Sequence, residues 1–294
     1  MKQLLKRRRV GVMTEWMRPQ SLEEALDLLA ESSQRYKKIA GGTDVMVELQ
    51  IAPERRPQAW LDLSAVAELQ DVTLAANGLR IGACVTLAAL RRHPQIQTRW
   101  PMLAASAAVT GAAPIQNRAT LGGNVCNASP AADNAPVLLA YSAQLEISSP
   151  CGTRWMPYDA FHCGYRQTAL ADDELLAAIW LPYPPEGVRS YYRKVGTRAA
   201  QAIAKVGIAA LLQDNGLGQM VTARFGLASV AATPCMLPTV SNYLQGRDLD
   251  TLSEAALREK IRMDLSPIKD IRSTAEYRLE IASRLVWDAI HHAQ

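Results

Sequence analysis

The chain has 294 residues and a mass of 32.1 kDa, about twice the commonest domain size, which calls for two domains or one large composite. Hydrophobic residues make up 49% and charged residues 20%, with 17 glycines and 16 prolines, a globular composition that excludes collagen-like and largely disordered chains. Lys plus Arg number 32 against 28 for Asp plus Glu, a net charge of +4 with aromatics at only 6%; much of the excess sits in Lys2, Lys6, Arg7, Arg8 and Arg9, no basic stripe runs along the body, and nucleic acid is excluded as a partner.

The Lys6-Arg7-Arg8-Arg9 cluster is followed by Val10-Gly11-Val12-Met13-Thr14-Glu15, with a carboxylate where a signal peptide would be apolar. Residues 1–13 therefore read as a basic tail ahead of the fold, or as residues preceding a translation start at Met13. Ser21-Leu22-Glu23-Glu24 has the form of a capping box, and Leu22, Ala25, Leu26 and Leu29 continue it at helical spacing to about Glu31. A short strand over Tyr36 to Ala40 ends at Gly41-Gly42, and Thr43-Asp44 can cap a second helix carrying Val45, Met46 and Leu49. Ala59 to Leu63 is the next strand. Helix and flanking strands form a crossover unit, which predicts a small parallel sheet over residues 14–65.

From residue 66 the texture becomes antiparallel. Val72 to Ala75 and Leu79 to Gly82 flank Asn77-Gly78, a hairpin signature. Helices are predicted at Leu87 to Arg92 and Met102 to Val109, then a glycine- and asparagine-rich loop from Gly111 to Ala132, then a helix over Asn134 to Tyr141. Strands follow at Gln144 to Ser148, Thr153 to Pro157 and Glu174 to Leu181, and Pro182, Pro184 and Pro185 mark a domain boundary. In the remaining segment, 186–294, strands at Ser190 to Gly196, Ile203 to Gln213 and Gln219 to Ser229 precede helices near Pro238 to Gln245, Leu252 to Arg262 and Thr274 to His291. The fold class is α+β: residues 14–181 as one domain in two subdomains, 14–65 and 66–181, then a C-terminal three-stranded antiparallel sheet with helices.

No apolar run approaches the roughly 18 residues that a bilayer-crossing helix needs, so no membrane span is expected. The five cysteines, Cys84, Cys126, Cys151, Cys163 and Cys235, are scattered without a C-x-x-C pair, which fits a reducing, cytoplasmic compartment and no metal site on this chain. Cys126 reads as a buried structural thiol. Two glycine pairs stand out, Ala40-Gly41-Gly42-Thr43-Asp44 and Thr120-Leu121-Gly122-Gly123-Asn124. Either is a plain tight turn or a place where backbone amides approach an anion, and the first precedes a helix N-terminus, where unsatisfied donors favour phosphate. Neither is a G-x-G-x-x-G or Walker sequence.

Together, Ala40 to Val45, then Asn117-Arg118-Ala119-Thr120-Leu121-Gly122-Gly123-Asn124, then Ala128-Ser129-Pro130-Ala131-Ala132-Asp133 resemble the FAD-binding subunit of the molybdenum hydroxylases, the xanthine dehydrogenase family. The resemblance extends over nearly all of the chain and implies a two-subdomain FAD-binding domain followed by the C-terminal domain. It implies that Lys38, Ile39, Ala40, Gly41, Gly42, Thr43, Asp44 and Val45 wrap the FAD diphosphate, and that Thr120, Leu121, Gly122, Gly123 and Asn124 form a second clasp. Asp133 falls on a ribitol- or ribose-contacting aspartate, with an N-cap for the next helix as its plain alternative. Leu176 falls on an apolar position beside the isoalloxazine, or is strand core. Lys194 falls on a basic position near the flavin, where a cation stabilises the reduced ring, or is a solvent-facing strand lysine. Thr110 stands where some relatives have a ring-contacting aromatic, and Gln116 where the family has a basic residue, which weakens any ionic contact there.

The function this resemblance implies is an electron-transfer subunit holding non-covalent FAD, with no catalytic side chain because the flavin carries the chemistry. Electrons would pass from 2Fe–2S clusters on one partner, fed by a molybdenum cofactor on another, through FAD to NAD+. The expected assembly is a dimer of heterotrimers acting on purines as a xanthine dehydrogenase. The alternatives are a flavin subunit for an aldehyde or N-heterocycle hydroxylase, and a flavin-free scaffold.

Overall fold

In the computed structural model, which describes residues 14–31 and 36–293, the chain forms three packed units; the tail over residues 1–13 lies outside the described residues. The first contains β1 (Glu15–Met17), α1 (Leu22–Glu31), β2 (Lys37–Ile39), α2 (Thr43–Ile51) and β3 (Ala59–Asp62). Its sheet has the order β1-β3-β2 with both pairings parallel. Only part of the capping box forms around α1: Ser21 Oγ accepts from the Glu24 amide at 3.1 Å, while the Glu24 carboxylate reaches one residue further back, to the Gln20 amide. Leu61, Leu63, Val66 and Leu69 bury this subdomain against Leu175 and Ala177 of the next.

The second unit runs through β4 (Val72–Ala75), β5 (Gly78–Gly82), α3 (Leu87–Arg92), α4 (Pro94–Arg99), α5 (Pro101–Val109), α6 (Ala113–Gln116), α7 (Leu121–Cys126) and α8 (Ala135–Ala140). It continues with β6 (Gln144–Ser149), β7 (Gly152–Pro157), β8 (His162–Gly164), β9 (Gln167–Thr168) and β10 (Leu175–Pro182). Its main sheet has the order β4-β5-β10-β6-β7, antiparallel throughout, and β8 and β9 make a separate hairpin. The loop predicted over Gly111 to Ala132 contains two short helices, α6 and α7. In the first hairpin Ala75 pairs with Gly78, so the two turn residues are Ala76 and Asn77, and neither has positive φ. Gly78 serves a different purpose: a Cβ there would lie 2.3 Å from the Leu181 carbonyl oxygen, so glycine permits the close approach of β10.

The third unit contains β11 (Arg189–Val195), β12 (Val206–Asp214), β13 (Met220–Ala228), β14 (Cys235–Met236), α9 (Pro238–Leu244), α10 (Glu254–Asp264) and α11 (Ala275–His292). The sheet is four-stranded, in order β11-β12-β13-β14, where three strands were predicted; β14 is two residues long and has no alternation to read. β12 is buried on both faces. Ile208, Ala210 and Leu212 face the helices of this unit, whereas Ala209 and Leu211 join the core of the second unit. Gly207 and Gly226 admit α8 against the sheet: a Cβ on Gly226 would stand 2.2 Å from the Pro136 carbonyl oxygen. The Ser229 amide donates to the Pro130 carbonyl at 2.8 Å, a further tie across this junction. The two domains are thereby joined through α8 packed on β12 and β13, and a cleft lined by residues before α8 and after β13 opens beside this junction.

Candidate functional site

The cleft has a volume of about 730 Å³ and is lined by all three units, within the range of cofactor sites. One wall is the turn from β2 into α2. Gly42 occupies the N-cap position with φ of 73°, in the left-handed region, and no side chain caps the helix. The first-turn amides of α2 therefore keep the unsatisfied donors and the partial positive charge of a helix N-terminus. Lys38 to Val45 all line this wall.

Gly41 lies directly against the other glycine segment. A Cβ on it would sit 2.0 Å from the Arg118 carbonyl oxygen, and Arg118 Nε donates to the Gly41 carbonyl at 3.2 Å. The fold thus brings together two segments that stand about eighty residues apart. They do not present the same chemistry. The Leu121 amide donates to Val85, Gly122 to Ala83, Asn124 to the Thr120 carbonyl and Gly123 to Thr120 Oγ1. The amides of Leu121 to Asn124 are thus used inside the protein, and the segment offers the cleft the surface of Thr120, Gly123 and Asn124. Leu121 and Gly122 are buried behind that surface, with Gly122 packed on Ala83.

Asp133 lines the cleft. Its Oδ2 accepts from Lys194 Nζ at 2.6 Å, and its buried Oδ1 has no partner. Burial pushes the Asp133 carboxyl up to about 6, against the lowering pull of the Lys194 ammonium and the Thr110 hydroxyl. Asp133 does not cap α8: the N-cap residue is Asn134, whose side chain instead bridges Ser106 Oγ, Thr110 Oγ1 and Asn124 Oδ1 inside the core. Lys194 is neither solvent-facing nor at the cleft surface. Its side chain is 3% exposed, and it donates to the Val109 carbonyl as well as to Asp133. Leu176 is buried in the sheet, at the irregularity where β10 changes register against β6.

Gln116, the departure from the family pattern, is an internal latch at 3% exposure. It accepts from Arg91 Nη1 and donates to the Ala108 and Gly111 carbonyls, so its change of type is absorbed inside the loop. Cys126, expected as a buried thiol, is exposed on the cleft floor, because α7 ends there.

Sequence reasoning missed the remaining walls. The tip of the β8–β9 hairpin brings Tyr165 and Arg166 to the cleft mouth, and Arg166 pairs with Glu48 of α2 at 3.4 Å. The C-terminal domain adds residues 201–204, Ile268, Asp270 and Arg272, held by the buried Arg278. Arg278 donates to the Lys205 and Ser229 carbonyls and to Asp270. Burial opposes ionisation of Asp270, but the Arg272 and Ser273 amides and Arg278 outweigh it and hold the carboxyl down at about 2. Among the described residues no cluster of metal-ligating side chains converges, and no helix is long and apolar enough to cross a membrane.

This arrangement suits a long ligand with a diphosphate. One helix N-terminus is open to an anion, a glycine seam lets the ligand approach the backbone closely, and an unpartnered carboxylate oxygen can accept from a hydroxyl or ring N–H. Comparison with known proteins points the same way. Residues 11–184 match the model of the FAD binding domain in molybdopterin dehydrogenase, and residues 190–293 that of the CO dehydrogenase flavoprotein C-terminal domain. The chain is 36% identical over 279 residues to the xanthine dehydrogenase FAD-binding subunit of Escherichia coli O157:H7, covering 94% of each. It is 30% identical over 287 residues to the carbon monoxide dehydrogenase medium chain of Afipia carboxidovorans, covering 95% of this chain and 96% of that one. Among solved structures, a Cu,Mo-CO dehydrogenase chain superposes with a TM-score of 0.88 at 27% identity, over 95% of this chain and 97% of that chain.

Proposed function

The chain belongs to the FAD-binding subunits of the molybdenum hydroxylases, and on that premise we propose that it is the flavin-carrying link between iron–sulfur clusters on a partner and NAD+, in an assembly of the xanthine dehydrogenase type. The observation that carries the cofactor site is the uncapped N-terminus of α2, with Gly41 pressed against Arg118 at the head of the cleft. Gly41 to Val45 would hold the FAD diphosphate through main-chain donors. Thr120, Gly123 and Asn124 would bound its opposite side. Asp133 Oδ1 would accept a hydrogen bond from the ribityl chain or the ring, and Lys194 fixes that carboxylate from behind. Leu176 and Gly122 support the site as core residues. FAD supplies the ability to take electrons singly and release them as a hydride.

No acid or base from the chain is required for that transfer, and the residues named here bind, orient and shield. The molybdenum cofactor and 2Fe–2S clusters belong to partner subunits, and the assembly we propose is a dimer of heterotrimers in the cytoplasm. Purines are the first substrates to test, because identity is higher to the xanthine dehydrogenase subunit than to the CO dehydrogenase medium chain. The substrate is chosen at the molybdenum site, outside this chain. Anaerobic addition of NADH to the FAD-loaded assembly tests the acceptor. Bleaching of the flavin absorbance supports NAD+; flavin that is bleached by dithionite but untouched by NADH points to a quinone or dioxygen.

A further inference from the structure

Among the described residues, five cationic side chains line the cleft: Lys37, Lys38, Arg166, Arg272 and Arg278. Four of them are already in ion pairs, two cations to each carboxylate. Lys37 and Arg166 share Glu48, at 3.9 and 3.4 Å, and Arg272 and Arg278 share Asp270, at 3.2 and 2.8 Å. Lys38 differs. Among the described residues its ammonium makes no ion pair, and its hydrogen bond goes to the uncharged Asp172 carbonyl at 2.6 Å. It is half-buried, and that burial draws its pKa below the ordinary lysine value even though Asp172, Asp173 and Glu174 lie in its field. A half-buried cation without a carboxylate is costly unless a ligand brings the missing negative charge.

FAD has two places where that charge can reside. One is the diphosphate, whose donors are the amides at Gly41 to Val45. Lys38 lies in β2, ahead of the bend at Ala40 and Gly41, and its side chain donates to the Asp172 carbonyl just before β10 rather than to a group at the helix N-terminus. The other is the ring system, which becomes anionic when it gains two electrons and a single proton, leaving N1 unprotonated. Lys194 cannot serve there directly, because Asp133 and the Val109 carbonyl already hold its ammonium.

We propose that Lys38 is the residue whose charge stabilises the reduced flavin ring, and that it sets the flavin reduction potential. This rests on the reading that the cleft holds FAD. Lys38 is a positioning and tuning residue, with no bond made or broken at its ammonium. Its neighbour Lys37 lines the same cleft but is paired with Glu48, which makes it an internal control.

The test is a spectroelectrochemical titration of the flavin in the intact assembly, for wild type, Lys38→Gln, Lys38→Arg and Lys37→Gln. In Lys38→Gln the reduced form should bind at least about tenfold less tightly relative to the oxidised form, a fall of about 30 mV for a two-electron couple. Lys38→Arg and Lys37→Gln should stay near the wild-type potential. A Lys38→Gln protein that keeps its FAD at an unchanged potential would overturn the proposal, as would one that loses affinity for both forms equally, the mark of a diphosphate contact. If Lys38→Gln retains no FAD, Lys38→Arg decides: a wild-type potential supports the proposal, and a shifted one with the charge preserved sinks it. A wild-type assembly without flavin would refute the FAD reading itself, a separate outcome.

Discussion

Lys194 of β11 reaches out of the C-terminal domain to donate to Asp133 of the flavin domain across 2.6 Å, with 3% and 10% of the two side chains exposed. A buried pair of this kind is more informative when one half is removed, since the remaining charge loses its compensation. Lys194→Met should destabilise the chain by about 3–5 kcal/mol. The double variant Asp133→Asn, Lys194→Met should lose less than Lys194→Met alone, because no charge is then stranded. Urea unfolding of the four proteins in the cycle measures this, and additive losses would deny the coupling.

The same carboxyl makes stability depend on pH. Its folded pKa, about 6, lies above the ordinary value of 3.8, so folding takes up a proton between these limits. The ionised form is penalised in the fold: the cost is complete above pH 6 and is relieved as pH falls towards 3.8. Across the whole window it is on the order of 3 kcal/mol. The stability difference between wild type and Asp133→Asn should therefore shift in favour of wild type as pH falls from 7 to 5. Parallel denaturation curves for the two proteins over that range would argue against it.

The glycines of the two clasps should fail in a fixed order. A Cβ on Gly41 would meet the Arg118 carbonyl oxygen at 2.0 Å, whereas one on Gly123 meets only Thr120 Oγ1 at 2.9 Å. Gly41→Ala must part the two segments and should cost about 1–3 kcal/mol as overpacking. Gly42→Ala would bring its Cβ only to ordinary contact with the Ile39 side chain, at 3.4 Å, but keeps φ at 73°, a strain of roughly 1–2 kcal/mol. Retained FAD, measured after gel filtration, should be lowest in Gly41→Ala, intermediate in Gly42→Ala and near wild type in Gly123→Ala.

The domain junction gives a fourth expectation. Gly226→Ala would drive a methyl group to 2.2 Å from the Pro136 carbonyl oxygen and 2.8 Å from Leu139 Cβ. Separating α8 from β13 should cost about 1–3 kcal/mol and expose the proline linker at Pro182 to Pro185. Limited proteolysis should cut this variant there faster than wild type; equal rates would show that the junction yields without opening.

Elements with strong local signals were legible in the sequence. α1 announces itself through Ser21 and its leucine spacing, and β12 and β13 through long apolar alternation. The short or non-local elements were not. β1 is three residues whose strand character comes from pairing with β3, forty-odd residues away; α6 and α7 sit in a stretch with no apolar period; and β14 exists because β13 has an open edge. The candidate site divides in the same way. Ala40 to Asp44 could be found because turn chemistry and helix start are local, and the family resemblance extended that segment to Lys38 and Val45. Tyr165, Arg166, Asp270 and Arg278 could not, since only tertiary packing brings them to the cleft. The second glycine segment was recognisable as a motif, but its amides are consumed by Val85, Ala83 and Thr120, which no linear reading reveals.

The most direct test of the central claim is the amount and identity of flavin released by heat from the purified native assembly, set against the same preparation carrying Gly41→Ala. Wild type should release FAD in a one-to-one ratio with this chain and the variant markedly less, with the partner chains still present. A folded wild-type assembly that contains no FAD and takes none up when it is supplied would contradict that claim.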